Sequence, residues 1–163
     1  DGTVDAIATD HAPHHFDEKN VEFDLAPFGV IGLETAFAIC YDRLVLGKVI
    51  DLARLVDLLS CGPARIFNLP GGTLRAGSVG DVTILDLEAR YQVTNTFHSK
   101  ASNSPFIGET MVGRPVATVV GGAVKYDMRV TRLRGSEVGV GGPTPRGASK
   151  PRNLETSKPR KKR

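Results

Sequence analysis

The chain has 163 residues, 40% of them hydrophobic, two cysteines and no tryptophan, a composition that excludes collagen-like, disulfide-scaffold and membrane-spanning classes. No apolar run approaches the roughly 18–20 residues of a spanning helix, and no signal-peptide pattern opens the chain. The formal charge of +3 divides unevenly: residues 128–163 carry eleven Lys and Arg against two Glu, a net +9, so residues 1–127 carry −6.

The first element is the apolar run Val4 to Ala8, expected as a short buried strand. It breaks into Ala8-Thr9-Asp10-His11-Ala12-Pro13-His14, because Pro13 lacks an N–H and fixes its own φ. Carboxylate and imidazole are ligand types of hydrolytic metal sites, and β/α barrels place chemistry where strands end and loops begin. A polar capping loop has the same composition, so residue type and spacing leave both readings open. Asp17, Glu18, Lys19 and Glu22 read as a mobile, solvated loop, and His15 and His98 as surface residues.

Leu33, Phe37, Cys40, Tyr41 and Leu44 recur at helical spacing, with Gly47 as the stop. Asp51 is placed to cap a second helix whose apolar face is Leu52, Leu55, Val56 and Leu59. Gly62 to Phe67 reads as a short helix with Pro63 in its first turn. Cys40 and Cys61 lie in these apolar patterns without a CxxC pairing, and are expected as buried free thiols, in keeping with a cytoplasmic location.

The texture changes at Pro70-Gly71-Gly72. Val82–Asp86 and Arg90–Thr94 read as paired strands. Val116–Val120 and Ala123–Tyr126 flank the two-residue turn Gly121-Gly122, a hairpin signal. Residues 128–163 are rich in Gly, Pro and Ser and poor in large apolar side chains, so a disordered basic tail is expected. Its terminal Lys/Arg run could touch nucleic acid or acidic surfaces, but no aromatic residues interleave with it, so a base-stacking platform is not indicated and a solvated extension is the preferred reading.

The motif TDHAPH (Thr9–His14), followed by Ala26-Pro27-Phe28-Gly29 and by Gly32-Leu33-Glu34-Thr35, resembles the dihydroorotases of bacterial pyrimidine synthesis, in the amidohydrolase superfamily. The resemblance runs from about Asp5 to Asp127, and Gly77-Ser78-Val79-Gly80-Asp81 resembles the family's entry into its β domain. Related hydantoinases and allantoinases are expected to differ at His14 and across Ala26–Gly29. The resemblance implies an α/β fold class: the C-terminal part of a (β/α)8 metal-dependent hydrolase barrel plus strands of a small β domain. One strand and a few helices cannot close a barrel of about 200 residues or more, so the chain reads as part of a longer enzyme and is expected to be inactive alone. The implied division is 1–70 for the barrel end, 71–127 for the small β domain and 128–163 for the tail.

The resemblance also implies function. The family opens and closes a cyclic amide, interconverting N-carbamoyl-L-aspartate and dihydroorotate, with zinc, two ions per complete subunit. It makes Asp10 both metal ligand and catalytic acid/base, His14 a contact to the substrate carboxylate, and Phe28 and Gly29 backbone contacts to the substrate ring. The remaining ligands are not found in residues 1–163. His11 receives no role, and Asn103-Ser104-Pro105-Phe106 and Gly113-Arg114-Pro115 are assigned to a connecting loop without chemistry. Two other readings compete with this one: a non-catalytic dihydroorotase-like subunit supporting aspartate carbamoyltransferase, and a hydantoinase or allantoinase relative, against which His14 and Phe28-Gly29 argue. Partners are thus a small-molecule substrate and, in the second reading, the carbamoyltransferase, with no membrane.

Overall fold

The computed structural model describes residues 2–129. The basic tail expected from residue 128 therefore lies, from residue 130 onward, outside the described residues. Among the described residues no helix is long and apolar enough to cross a membrane.

The helices form where local chemistry starts and stops them. Helix α1 (Phe16–Lys19) is one turn opened by a reciprocal box: the Asp17 amide donates to His15 Nδ1 at 3.2 Å, and the His15 amide donates to Glu18 Oε2 at 3.0 Å. Helix α2 (Ala36–Cys40) runs on into a wider-wound π stretch, Tyr41–Leu46, and ends at Gly47. Helix α3 (Leu52–Val56) is capped by Asp51, whose Oδ1 accepts from the Arg54 amide at 2.7 Å; this satisfies one of the orphan donors of the first turn. A second π stretch, Asp57–Cys61, leads into α4 (Gly62–Ile66), with Pro63 in its first turn.

Three antiparallel strands follow, β1 (Val82–Gln92), β2 (Thr110–Val120) and β3 (Ala123–Asp127), in the order β1-β2-β3. The two strands expected at 82–86 and 90–94 are one strand, and it pairs with β2 instead of folding on itself. The polar step between them is a bulge, with the register shifting between Asp86 and Arg90. Asp86 Oδ1 accepts from the Glu88 and Ala89 amides, both at 3.0 Å, and so occupies donors that the ladder skips. Pro115 lies at a second register shift, beyond the reach of β3, where a strand tolerates a missing N–H.

The hairpin at Gly121-Gly122 is present, with both glycines at positive φ (57° and 77°), as a tight two-residue turn between twisted strands requires. The Gly77–Asp81 motif docks on this turn: Gly121 N donates to Asp81 Oδ1 at 2.7 Å and Gly122 N to the Gly80 carbonyl at 2.9 Å.

The run Val4–Ala8 is neither a strand nor fully buried. Its backbone tie is Ile7 N to the Leu58 carbonyl at 2.9 Å, and Val4 is 55% exposed. A strand exists only where a neighbour offers a continuous ladder, and here the run lies against a helical segment.

Two apolar clusters join helices to sheet. Ala38, Val93 and Met111 form one, with Ile39, Phe97 and Phe106 around it. Tyr41, Leu55 and Val112 form the other, with Ile7, Phe37 and Leu59 around it. The Phe37 and Tyr41 rings stack at 5.6 Å, and Leu55 is wholly inaccessible. Cys40 and Cys61 are free and half-buried, and burial pushes the Cys40 thiol up.

Candidate active site

The loop after Val4–Ala8 and the segment before α2 lie side by side. His11 bridges Val30 in parallel register, and the Ala12 amide donates to the Val30 carbonyl at 2.9 Å. This brings residues 10–14 alongside residues 28–31. Asp10 opens the arrangement with its backbone in the left-handed region, φ 42°. Aspartate tolerates that region better than most residues, still at a cost of about 1 kcal/mol or more. Its carboxylate is exposed and makes no hydrogen bond or ion pair among the described residues.

His11, left without a role by its sequence context, serves the start of the helical segment. Its Nδ1 lies 3.1 Å from the Gly32 amide and 3.4 Å from the Leu33 amide. Both partners are donors, so Nδ1 is the acceptor and any ring proton sits on Nε2. Glu34 extends the same anchoring. Its two carboxylate oxygens accept from the His98 and Ser99 amides, both at 3.0 Å, tying the far loop to the start of α2.

His14 and Phe28-Gly29 meet directly. His14 Nε2 lies 3.0 Å from the Phe28 carbonyl, which can only accept, so the proton is on Nε2. Nδ1 lies 3.6 Å from Glu18 Oε2. Gly29 turns at φ 102°, and a Cβ there would stand 2.5 Å from the Ala12 side chain. Glycine is thus required twice at this position, by backbone conformation and by close approach.

Lys19 is not the freely solvated residue expected. Half-buried, it donates from Nζ to the Pro27 carbonyl at 2.8 Å and the Gly29 carbonyl at 3.2 Å. The carbonyls of residues 27, 28 and 29 are therefore all occupied. The Phe28 and Gly29 amides have no partner among the described residues, which makes N–H groups the backbone functions this turn can offer a ligand.

Asn103, from the segment expected to carry no chemistry, reaches both loops. The His14 amide donates to its Oδ1 at 3.2 Å, and its Nδ2 donates to the Ala12 carbonyl at 2.9 Å and the Gly29 carbonyl at 3.4 Å. Nothing in the local sequence pattern signals this role, because its partners lie 74 to 91 positions away.

Among the described residues no three metal-ligating side chains converge. An exposed, unpaired carboxylate at Asp10 fits one ligand position of a metal ion and no more. A cleft of about 700 Å³ lined by Leu33, Glu34, Phe37, Tyr91, Phe97 and Arg114, among others, includes none of Asp10, His14, Phe28 and Gly29.

No family model matches the chain. It is 54% identical over 127 residues to the dihydroorotase of Citrifermentans bemidjiense, covering 77% of this chain and 30% of that protein. It is 52% identical over 135 residues to the dihydroorotase of Elusimicrobium minutum, covering 82% and 31%. Among solved structures it is similar to L-hydantoinase (dihydropyrimidinase) from Arthrobacter aurescens, with a TM-score of 0.72 and 33% identity over 77% of this chain and 29% of that one. D-hydantoinase (dihydropyrimidinase) from Thermus sp. gives a TM-score of 0.69 and 29% identity over 76% and 28%. The chain spans about a third of the length of the relatives it matches.

Proposed function

The chain belongs to the dihydroorotase family over the three quarters of its length that these relatives match, and from that premise we propose that it forms part of a zinc-dependent cyclic amide hydrolase interconverting N-carbamoyl-L-aspartate and dihydroorotate in cytoplasmic pyrimidine synthesis. Residues 1–70 are then the end of a β/α barrel and 71–127 strands of a small β domain. The observation that carries this reading is the meeting of the Asp10–His14 loop with the Phe28-Gly29 turn, which puts an exposed carboxylate, an imidazole and two unpartnered amides on adjoining segments.

Opening the ring adds water across an unactivated amide. The hydroxyl goes to the carbonyl carbon, the carbon–nitrogen bond breaks, and a proton must reach the leaving nitrogen. Zinc, when bound, acidifies water and polarises the carbonyl. Asp10 would hold one position on it and would also be the proton carrier, taking the water's proton on a carboxylate oxygen and delivering it to the ring nitrogen. Ring closure runs the same transfers backwards.

His14 provides the Nε2–H for the substrate carboxylate, giving up the Phe28 carbonyl as ligand enters. Its neighbour Glu18 lies 3.6 Å from Nδ1 on the other side of the ring. The Phe28 and Gly29 amides donate to ring oxygen.

Asp10→Asn in the complete, metal-loaded enzyme tests the reading. Shape is kept and the proton carrier is lost, so turnover of dihydroorotate falls about 10²–10⁴-fold with the melting temperature unchanged. Near-normal kcat with metal bound removes Asp10 from the chemistry. The hydantoinase-like neighbours make hydantoin the control substrate: a parent enzyme that prefers hydantoin to dihydroorotate overturns the substrate assignment while leaving the cyclic-amide chemistry standing.

A further inference from the structure

Asn103 stands 89 residues beyond His14 in the chain, yet it is bonded to both loops of the site. Its side-chain amide can face only one way. The His14 N–H must meet the oxygen, and the Ala12 and Gly29 carbonyls must meet the NH2 group. Its own main-chain carbonyl accepts from the Ile31 amide at 3.2 Å. One residue thus holds the backbone on either side of the contact between His14 Nε2 and the Phe28 carbonyl.

We propose that Asn103 is a positioning residue that sets the spacing between the His14 ring and the Gly29 turn, so that substrate meets both at once. The proposal rests on the reading of His14 and Phe28-Gly29 as substrate contacts. On that reading the His14 ring must exchange the Phe28 carbonyl for a carboxylate. The exchange is a rotation of the side chain, and it stays productive only if the backbone does not follow. Asn103 fixes the His14 amide and leaves the ring free to turn. It also holds the Gly29 carbonyl, which Lys19 shares at 3.2 Å, so the amides at 28 and 29 keep their place. Asp10 lies outside this grip. Loosening the grip therefore weakens binding much more than it slows the chemical step.

Asn103→Asp in the complete, metal-loaded enzyme separates these effects. The side chain keeps its shape and its acceptor for the His14 amide, but sets an oxygen against two carbonyls. Asn103→Ala removes the grip without that repulsion and should give the same pattern. The expected result is a KM for dihydroorotate raised about tenfold, the loss of roughly one well-placed hydrogen bond, with kcat within about threefold of the parent. Exchange of the bonded amides of Ala12, His14 and Ile31 should quicken while that of α2 and β2 stays as it was. In a His14→Ala background, Asn103→Ala should raise KM by clearly less than it does in the parent, because one of the two groups it positions is gone.

Unchanged exchange at Ala12, His14 and Ile31 in both variants overturns the proposal whatever the kinetics. A normal KM in the Asn103 variants, with His14→Ala raising KM, overturns the positioning role and leaves the substrate reading standing. A normal KM in His14→Ala overturns the substrate reading and the positioning role together. A lowered melting temperature with fully additive KM effects in the double variant makes Asn103 a structural tie only, and also overturns the proposal.

Discussion

Between Asp10 and Ile31 most of the ties are side chains reaching for backbone: His11 to the Gly32 amide, Lys19 to the Pro27 carbonyl, Asn103 to residues on both loops. Between Ala36 and Asp127 the ties are an antiparallel ladder and two apolar clusters built on Met111, Leu55 and their neighbours. The first region leaves Phe23 and Phe28 about 95% exposed, whereas the second encloses Leu55 completely. Hydrogen bonds contribute about 1 kcal/mol each on balance, and a large buried side chain about 1.5–3 kcal/mol. The loop region therefore gets its shape from a few separable polar ties, while stability resides in the helix–sheet region. Such a division lets a binding loop change partners without melting the scaffold beneath it.

The largest expected effect is on the scaffold. Leu55→Ala empties a position with no solvent contact and should cost about 2–5 kcal/mol, read as a lower urea midpoint. KM for substrate should stay near the parent value in the folded enzyme. A KM that moves in step with stability would break the division between the regions.

Gly29→Ala should have the opposite signature. At φ 102°, with a Cβ brought to 2.5 Å from Ala12, the turn must shift, at about 1–3 kcal/mol. KM should rise as the turn shifts, and the urea midpoint should fall by less than in Leu55→Ala. A midpoint loss as large as that of Leu55→Ala would show that the turn belongs to the core.

The smallest effect sharpens the comparison inside the scaffold, where polar ties also occur. Asp57 bonds Arg65 at 2.9 Å and Arg54 at 2.6 Å, and the Arg65 hydrogen bond above all holds its carboxyl below the usual range. A carboxyl depressed in the folded state stabilises above its unfolded value, near 3.9. That contribution is lost as pH falls below about 4 and through the folded value. Asp57→Asn should therefore melt slightly below the parent at pH 7, and the two should converge at strongly acidic pH. The effect is modest because the pair is solvated. A gap that widens on acidification would reverse the assigned sign.

What was legible in the sequence was local. Asp51 reads as a cap and Pro63 as a first-turn residue because each acts on groups within a few positions, and Gly121-Gly122 marks a hairpin because the turn itself demands positive φ. Two expectations failed for the converse reason. Val4–Ala8 has the composition of a buried strand, but a strand is made by its neighbour. The polar step at Asp86–Ala89 reads as a turn between two strands, and becomes a bulge because β2 offers a partner along its whole length.

The candidate site divides the same way. Asp10, His14, Phe28 and Gly29, the residues of the proposed site, were singled out through a motif that resembles a family's and not through any local period. Their side-by-side arrangement, the occupied carbonyls at 27–29 and the parts played by His11, Lys19 and Asn103 were decided by the tertiary structure. A side chain that bonds backbone far along the chain leaves no period and no spacing to read. By itself the sequence determined which local turns and helices form and which chemistry is on offer. The packing of distant segments determined which atoms face one another, because a hydrogen bond depends on position in space and not on separation in sequence.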